Sequence, residues 1–410
     1  MSLQLRWVGE ADLDRVARTR MLCYSHAGRD LERMRTVIRE DPRGKVGDFL
    51  LAESDGEAVG TATSHSMTMW AHGGAVPCQG VAWVGTVKTH RRRTKGADGV
   101  ATQLMRETLR IARERGEVVS ALMPFRASFY EHFGYGLVER RCEWTIPLAI
   151  LPHGDFDGIG FYRDEDLPEL VRFRQRTVER GQCDIERPED VWRYWLKMRG
   201  ESGFVVVDRS GPAGTIHGYL NFEHQQAGTK DVLRVMQMSY EDLPALRRQL
   251  HFLASLRDQY LSAAMILPAD LPLNRLLREP QLPHRHVNHA HAEARQDTRM
   301  QVRVLDHKRF LEAMRLPAHH RGKVVVAVHE SEGHESRFAI DISDGRASVS
   351  ASSASAEFTC PDHVWAAIAC GDLPATHAMN LSLASAEHPG AAAILDTFGD
   401  GPRPFSHEYF

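Results

Sequence analysis

Apolar positions in the first third of the chain switch between two periods. From Gly80 to Val87 they are nearly continuous and rich in β-branched residues, the mark of a buried strand. Beyond a polar gap, Ala101, Leu104, Met105, Leu109 and Ala112 fall on one face of a helix. Gln103, Arg106, Glu107, Arg110 and Glu114 fall on the other, and Gly116 closes it. Val118 to Met123 predicts a second buried strand, and Pro124, which cannot donate to a ladder, predicts that the chain parts from its neighbour there. Upstream the pattern predicts a strand at Leu3–Val8, helices at Asp12–Cys23 and Leu31–Glu40, and strands at Asp48–Ser54 and Glu57–Met69. An antiparallel piece, Leu137–Ile146, completes the first unit at Pro147. Strands on both sides of a central helix predict an α/β layered fold over 1–147.

The pattern then repeats. After a linker at Pro147, Pro152 and Gly154–Gly160, helices are expected from Asp164 to Arg180 and over Val191–Met198. Strands are expected at Phe204–Asp208, Thr215–Phe222 and Val232–Ser239, then a helix at Leu243–Leu256 and a strand at Ala263–Leu267. The last three repeat the strand–helix–strand order of 80–123, so 148–297 reads as a duplicated fold. A third unit, 298–410, opens with an apolar strand at Met300–Leu305. A helix at Lys308–Met314, strands at 323–328, 336–342 and 346–350, and helices near 360–370 and 390–398 make it α+β.

Bulk properties narrow the field. A chain of 410 residues exceeds what one core supports. A net charge of −3, with basic residues spread out apart from one short run, gives no footing for nucleic acid. No apolar stretch is long enough to span a bilayer, and the N-terminus lacks the apolar segment of a signal peptide. The 6 cysteines contain no Cys-x-x-Cys and read as buried thiols of a reducing compartment, the cytoplasm by default.

The chemistry concentrates between Val81 and Gly136. The first strand runs into His90, Arg91, Arg92 and Arg93, and Gly96 and Gly99 free the backbone just before the helix. A helix N-terminus with arginines beside it attracts phosphate. Two strands that part leave a wedge in which an extended pantetheine arm can pair with the free edge of the first strand. The duplicated unit has Glu241 and Asp242 at the corresponding point, which repel phosphate. One feature competes with phosphate in the first unit: Asp98 is a good helix N-cap.

The arginine run, glycine turn and helix resemble the acetyl-CoA loop of the GCN5-related N-acetyltransferases (GNAT). Phe129-Tyr130-Glu131-His132-Phe133-Gly134-Tyr135-Gly136 and the ending Pro404-Phe405-Ser406-His407-Glu408-Tyr409-Phe410 are similar to the enhanced-intracellular-survival (Eis) branch. The segment Thr94–Asp98 is an insertion relative to that branch. The resemblance implies two acetyltransferase folds, the second without cofactor, and a sterol-carrier-like third domain. It implies acetyl-CoA as cosubstrate, a small multi-amine acceptor such as an aminoglycoside or polyamine, no metal, no nucleic-acid or membrane partner, and homo-oligomeric, often hexameric, assembly.

Within that reading the site residues divide by role. Arg91, Arg92, Arg93, Gly96 and Gly99 face the pyrophosphate, and Val84 and Thr86 the pantetheine. Tyr130, a phenol that stays protonated at neutral pH, is expected to supply a proton to the leaving thiolate; packing within its aromatic cluster is the competing reading. The resemblance assigns the base to the terminal carboxylate of Phe410. Glu408 and Trp83 are expected near the acceptor. His284, His286, His289 and His291, and more weakly His319 and His320, invite a metal reading, but without cysteine partners they are set aside. A non-catalytic acyl-CoA or lipid carrier is the alternative from another class.

Overall fold

The computed structural model describes residues 3–24, 31–45, 47–91, 99–199, 204–227, 230–282, 284 and 290–410. The first unit runs β1 (Leu3–Trp7), α1 (Leu13–Cys23), α2 (Leu31–Glu40), β2 (Phe49–Ser54), β3 (Glu57–Ala71), β4 (Gly74–Thr86), α3 (Val100–Glu114), β5 (Val119–Leu122), α4 (Ala127–Glu131) and β6 (Gly136–Leu137). β1 to β4 are antiparallel neighbours, and β4 and β5 are parallel. α1 and α3 cover opposite faces. A Cβ on Gly60 would meet Val100 and Leu104 at 2.5 and 3.2 Å, and one on Gly85 would meet Cys23 at 2.7 Å. These glycines let the helices approach the sheet closely.

Two strands are exchanged between units. The expected piece 137–146 splits at its start. Gly136–Leu137 stays in the first sheet, whereas β7 (Arg140–Pro147) pairs with Ser262–Pro268 and Glu293–Thr298 in the second. The strand expected to open the third unit, Gln301–Val304, instead fills the first sheet between β5 and β6. All four of its residues are buried; Arg303 reaches the Phe133 carbonyl at 2.6 Å and Glu332 at 2.8 Å. Main-chain pairing on both sides, not side-chain pattern, fixes where such a strand belongs.

The second sheet is seven-stranded, and its Lys230–Tyr240 and Ser262–Pro268 strands are parallel, like β4 and β5, with the helix Leu243–Ser255 between them. The third sheet is five-stranded, built on Gly322–His329 and Glu335–Ser343, with helices at Asp362–Ala369, Ala375–Asn380 and Pro389–Leu395. One apolar core runs from Met69, Val119 and Val302 of the first sheet into Trp365, Phe358 and Phe398, so these two units share a packed interior. The second fold keeps its own core around Leu220, Leu250 and Met265. Among the described residues no helix is long and apolar enough to cross a membrane.

Candidate active site

β4 and β5 pair only from Cys78/Val119 to Val81/Leu122; β4 then runs on to Thr86 paired with β3 only, its other edge free of β5. Beyond Leu122 the chain leaves the sheet at Met123 and Pro124, as the proline predicts. A register shift between Thr61 and Thr63 places one extra residue on β4, where Trp83 takes φ 55°. A left-handed tryptophan is costly, and bulges of this kind re-aim the backbone beside active sites. The Tyr24 hydroxyl donates to the Val84 carbonyl at 2.8 Å and steadies the bulge.

The gap opens into a cleft of about 640 Å³. Val84, Gly85 and Thr86 form one wall, Gly99 to Thr102 of α3 another, and Phe125 and Phe129 a third. Lys88, His90 and Arg91 stand at the α3 end. Arg91 is exposed and reaches back to the Thr86 and Cys23 carbonyls at 3.4 and 3.5 Å. Arg92, Arg93, Gly96 and the expected cap Asp98 lie outside the described residues. The N-cap position of α3 belongs to Gly99, which has no side chain to cap with. The first turn of this 15-residue helix lines the cleft, and it carries no acidic residue of its own.

The duplicated fold differs at this point. Asp242 is the N-cap of Leu243–Ser255 and its side chain accepts from the Ala245 N–H at 2.8 Å. Glu241 is paired with Arg176 and Arg180. A carboxylate already occupies the helix end that would hold a phosphate.

Tyr130 is buried behind this cleft. Its ring meets Phe125, Phe129 and Tyr135 edge-on at 5.9, 5.0 and 6.2 Å. Burial pushes its phenol well above the ordinary value. Tyr135, by contrast, has its hydroxyl against Ser120 at 2.6 Å, which fits a structural part. Cys23 also lines the cleft, and burial pushes its thiol up to about 12, so it is no nucleophile at neutral pH.

The C-terminal tail crosses all three units. Phe405 N–H donates to the Gln182 carbonyl at 3.0 Å, Ser406 N–H to Glu139 at 3.0 Å, and Arg299 donates to the Ser406 carbonyl. His407 N–H donates to Asp184 at 3.0 Å, and Gln237 donates to the His407 carbonyl at 2.9 Å. Arg187, itself over Trp192, donates to Glu408 at 2.5 Å, and Arg43 donates to the Tyr409 carbonyl at 2.8 Å. The Phe410 ring ends against β4: a Cβ on Gly80 would lie 3.0 Å from it. Gly80 and Val81 point to opposite faces of the strand, and Val81 shares a core cluster with Tyr130. Phe410 and Tyr130 thus sit on opposite faces of β4, just where β5 departs.

A second cleft, about 460 Å³, is lined by Arg43, Asp48, Met67, Glu186, Asp190, Glu408 and Phe410 among others. The Glu408 carboxylate is spent on Arg187, which leaves Glu186 and Asp190 as the acidic side chains of this lining beside Asp48, with Arg43 and Lys45 as its basic ones. Next to it His65 is buried; its Nδ1 lies 2.9 Å from the Arg43 carbonyl, which can only accept, so Nδ1 carries the proton. Burial lowers this imidazole to about 4 and keeps it neutral. Trp83 lines neither cleft; it packs against α1 residues and under Arg20, whose guanidinium is 4.7 Å from its ring centre. The Arg43, Arg187 and Asp184 partnerships were not legible in the sequence, because each joins residues far apart in the chain.

Two stretches match the Acetyltransferase (GNAT) domain, residues 4–138 and 183–304. The chain belongs to the GNAT acetyltransferases. Its relatives include an uncharacterized N-acetyltransferase of Streptomyces avermitilis, 27% identical over 87% of this chain and 85% of the relative. The N-acetyltransferase Eis of Mycobacterium tuberculosis is 26% identical over 79% of this chain and 78% of its own length. By structure it is similar to a GCN5-related N-acetyltransferase from Anabaena variabilis (TM-score 0.85, 18% identity) and to Eis1 from Mycobacterium abscessus (TM-score 0.78, 21% identity), each covering 100% of both chains. This acetyltransferase therefore uses acetyl-CoA as cosubstrate, and the resemblance to Eis drawn from its tyrosine block and tail is borne out.

Proposed function

We propose that this acetyltransferase moves acetyl from acetyl-CoA to a primary amine of a multi-amine small molecule, aminoglycoside- or polyamine-like, by direct attack. The observation that carries the reading is the open β4 edge beside the first turn of α3, backed by a tail docked on the other face of the same strand. Pantetheine runs along Val84 and Thr86, and its pyrophosphate meets Gly99, Arg91 and, by the resemblance, Arg92, Arg93 and Gly96. The second fold takes no cofactor, because Asp242 fills its helix end.

The amine enters from the second cleft, where Glu186, Asp190 and the Phe410 carboxylate favour a cation. The ammonium first gives up one proton through water to the terminal carboxylate, and the lone pair this frees forms the C–N bond to the thioester carbon as the C–S bond breaks. The nitrogen then sheds its second proton to water, and the sulfur takes one from the Tyr130 hydroxyl. A carboxylate near pKa ~3.5 is a weak base, so orienting the ammonium is its larger part. Tyr130 supplies the proton to the leaving thiolate and recovers one from water. Its raised pKa keeps the proton on throughout the physiological range, and it stabilises the thiolate as charge develops rather than ionising beforehand.

A third-domain lipid carrier without turnover is the alternative. Steady-state thiol release with acetyl-CoA and a panel of aminoglycosides and polyamines tests the reading. Saturable release with multi-amine acceptors is expected; acetyl-CoA binding with no turnover on any amine would favour the carrier.

A further inference from the structure

We propose that His319, His320 and Asp400 form a binding site for a divalent cation of the zinc class, placed at the root of the C-terminal tail. One ligand atom from each lies within 4.8 Å of the others. His320 Nε2 is 2.7 Å and His319 Nε2 3.8 Å from the same Asp400 oxygen, and the two rings are 4.1 Å apart. Donors bound at about 2.0–2.2 Å in a tetrahedron stand roughly 3.3 Å from one another. The two spacings to Asp400 bracket that figure, and the exposed His319 and Asp400 side chains are free to rotate onto it.

Two imidazoles and a carboxylate are ligands that zinc, nickel and copper accept and magnesium or calcium do not favour. Three protein ligands leave one position for water. His72 adjoins the site: its Nε2 lies 2.8 Å from the Phe398 carbonyl, which can only accept, so Nδ1 keeps its lone pair. That Nδ1 faces Gly401, the residue after Asp400, with 3.7 Å to where a glycine Cβ would stand. The titratable groups around Asp400 are thus His72, His319 and His320, and their nitrogens must be unprotonated to bind metal.

The position gives the ion a task. His319 and His320 lead into the first strand of the third sheet, Gly322–His329, and Asp400 ends the helical turn Asp396–Gly399. Residues 401–410 follow at once and carry Glu408 and Phe410. An ion here fixes residue 400 to that sheet and so sets where the tail begins. Removing it leaves the hydrogen-bonded tail in place but loosens its root.

The test titrates Zn²⁺ into the full, untagged chain by calorimetry, beside His320→Ala, His319→Ala and Asp400→Asn. The side chains of His319 and Asp400 are 72% and 53% exposed, so these two variants leave packing intact. The chain also carries histidines at 284, 286, 289 and 291, so the readout is the difference from wild type. One equivalent fewer in each variant is expected. Co²⁺ in wild type should give visible absorption of four-coordinate strength, absent from Asp400→Asn. Equal stoichiometry and affinity in wild type and all three variants would overturn the proposal. Since zinc is read without acetyl-CoA, this outcome is independent of whether the chain acetylates amines.

Discussion

Asp184→Asn isolates what holds the tail. The Asp184 carboxylate accepts from Arg174 at 2.6 and 2.8 Å, from the Ile185 N–H at 2.9 Å and from the His407 N–H at 3.0 Å. The Arg174 and Asp184 side chains are 1% and 3% exposed. Asparagine keeps the shape, removes the charge and turns one oxygen into a donor facing Arg174. Breaking a buried pair from one side costs about 3–5 kcal/mol, since the remaining charge is stranded. At 1.4 kcal/mol per decade that is roughly a 10²- to 4 × 10³-fold shift toward unfolding. Burial alone would raise this carboxyl, but Arg174 and His407 outweigh it and hold it far below the carboxylate range. A depressed native pKa gives stability that is present above the unfolded value of about 3.9 and lost as pH falls through the native one. Wild type should therefore lose this contribution only below about pH 4, and the variant should lack that acid limb. The assay is denaturant unfolding of both proteins from pH 3 to 8, followed by tryptophan fluorescence and by thiol release. A variant within ~0.5 kcal/mol of wild type, a typical effect for an unlinked surface site, with the same acid limb, would refute the reasoning. The exposed Arg110–Glu114 pair on α3 is the control, and Glu114→Gln should be silent.

Tyr130→Phe deletes one hydroxyl and keeps the ring packing, so folding and acetyl-CoA affinity should persist while turnover falls about 10²–10⁴-fold; a fall under threefold with chemistry rate-limiting would make Tyr130 a packing residue. Calorimetry should find one acetyl-CoA per chain, weakened by Arg91→Ala. Asp242→Ala should cost about 1 kcal/mol as a lost helix cap and leave that stoichiometry unchanged; two equivalents in wild type would contradict an inactive second fold.

The sequence carried the parts whose signal is local. α2 and α3 declared themselves by amphipathic period, and β4–α3–β5 by an apolar run, a basic loop and Pro124. It could not carry partner choice. Gln301–Val304 is buried on both faces, so nothing in its pattern distinguishes the first sheet from the third. β7 is only half-buried, and its place in the second sheet is set by main-chain pairing with Ser262–Pro268 and Glu293–Thr298, which its own pattern does not reveal. The bulge at Trp83 shows only as a register shift against β3. The tail's holders, Arg43, Gln182, Asp184, Arg187 and Gln237, lie up to 366 residues away in sequence.

The central claim is that acetyl transfer at the β4 edge is completed by the carboxylate of Phe410. It is tested most directly by kcat for two proteins, one lacking Phe410 and one extended by a few residues beyond it. Deletion draws the carboxylate back by roughly 3.5 Å and removes the ring set against Gly80. Extension keeps the ring and replaces the carboxylate with a neutral amide. The account predicts that both lose turnover strongly while acetyl-CoA affinity stays near wild type. An extended chain with normal kcat would contradict it and return the search for the amine's anchor to Glu186, Asp190 and water.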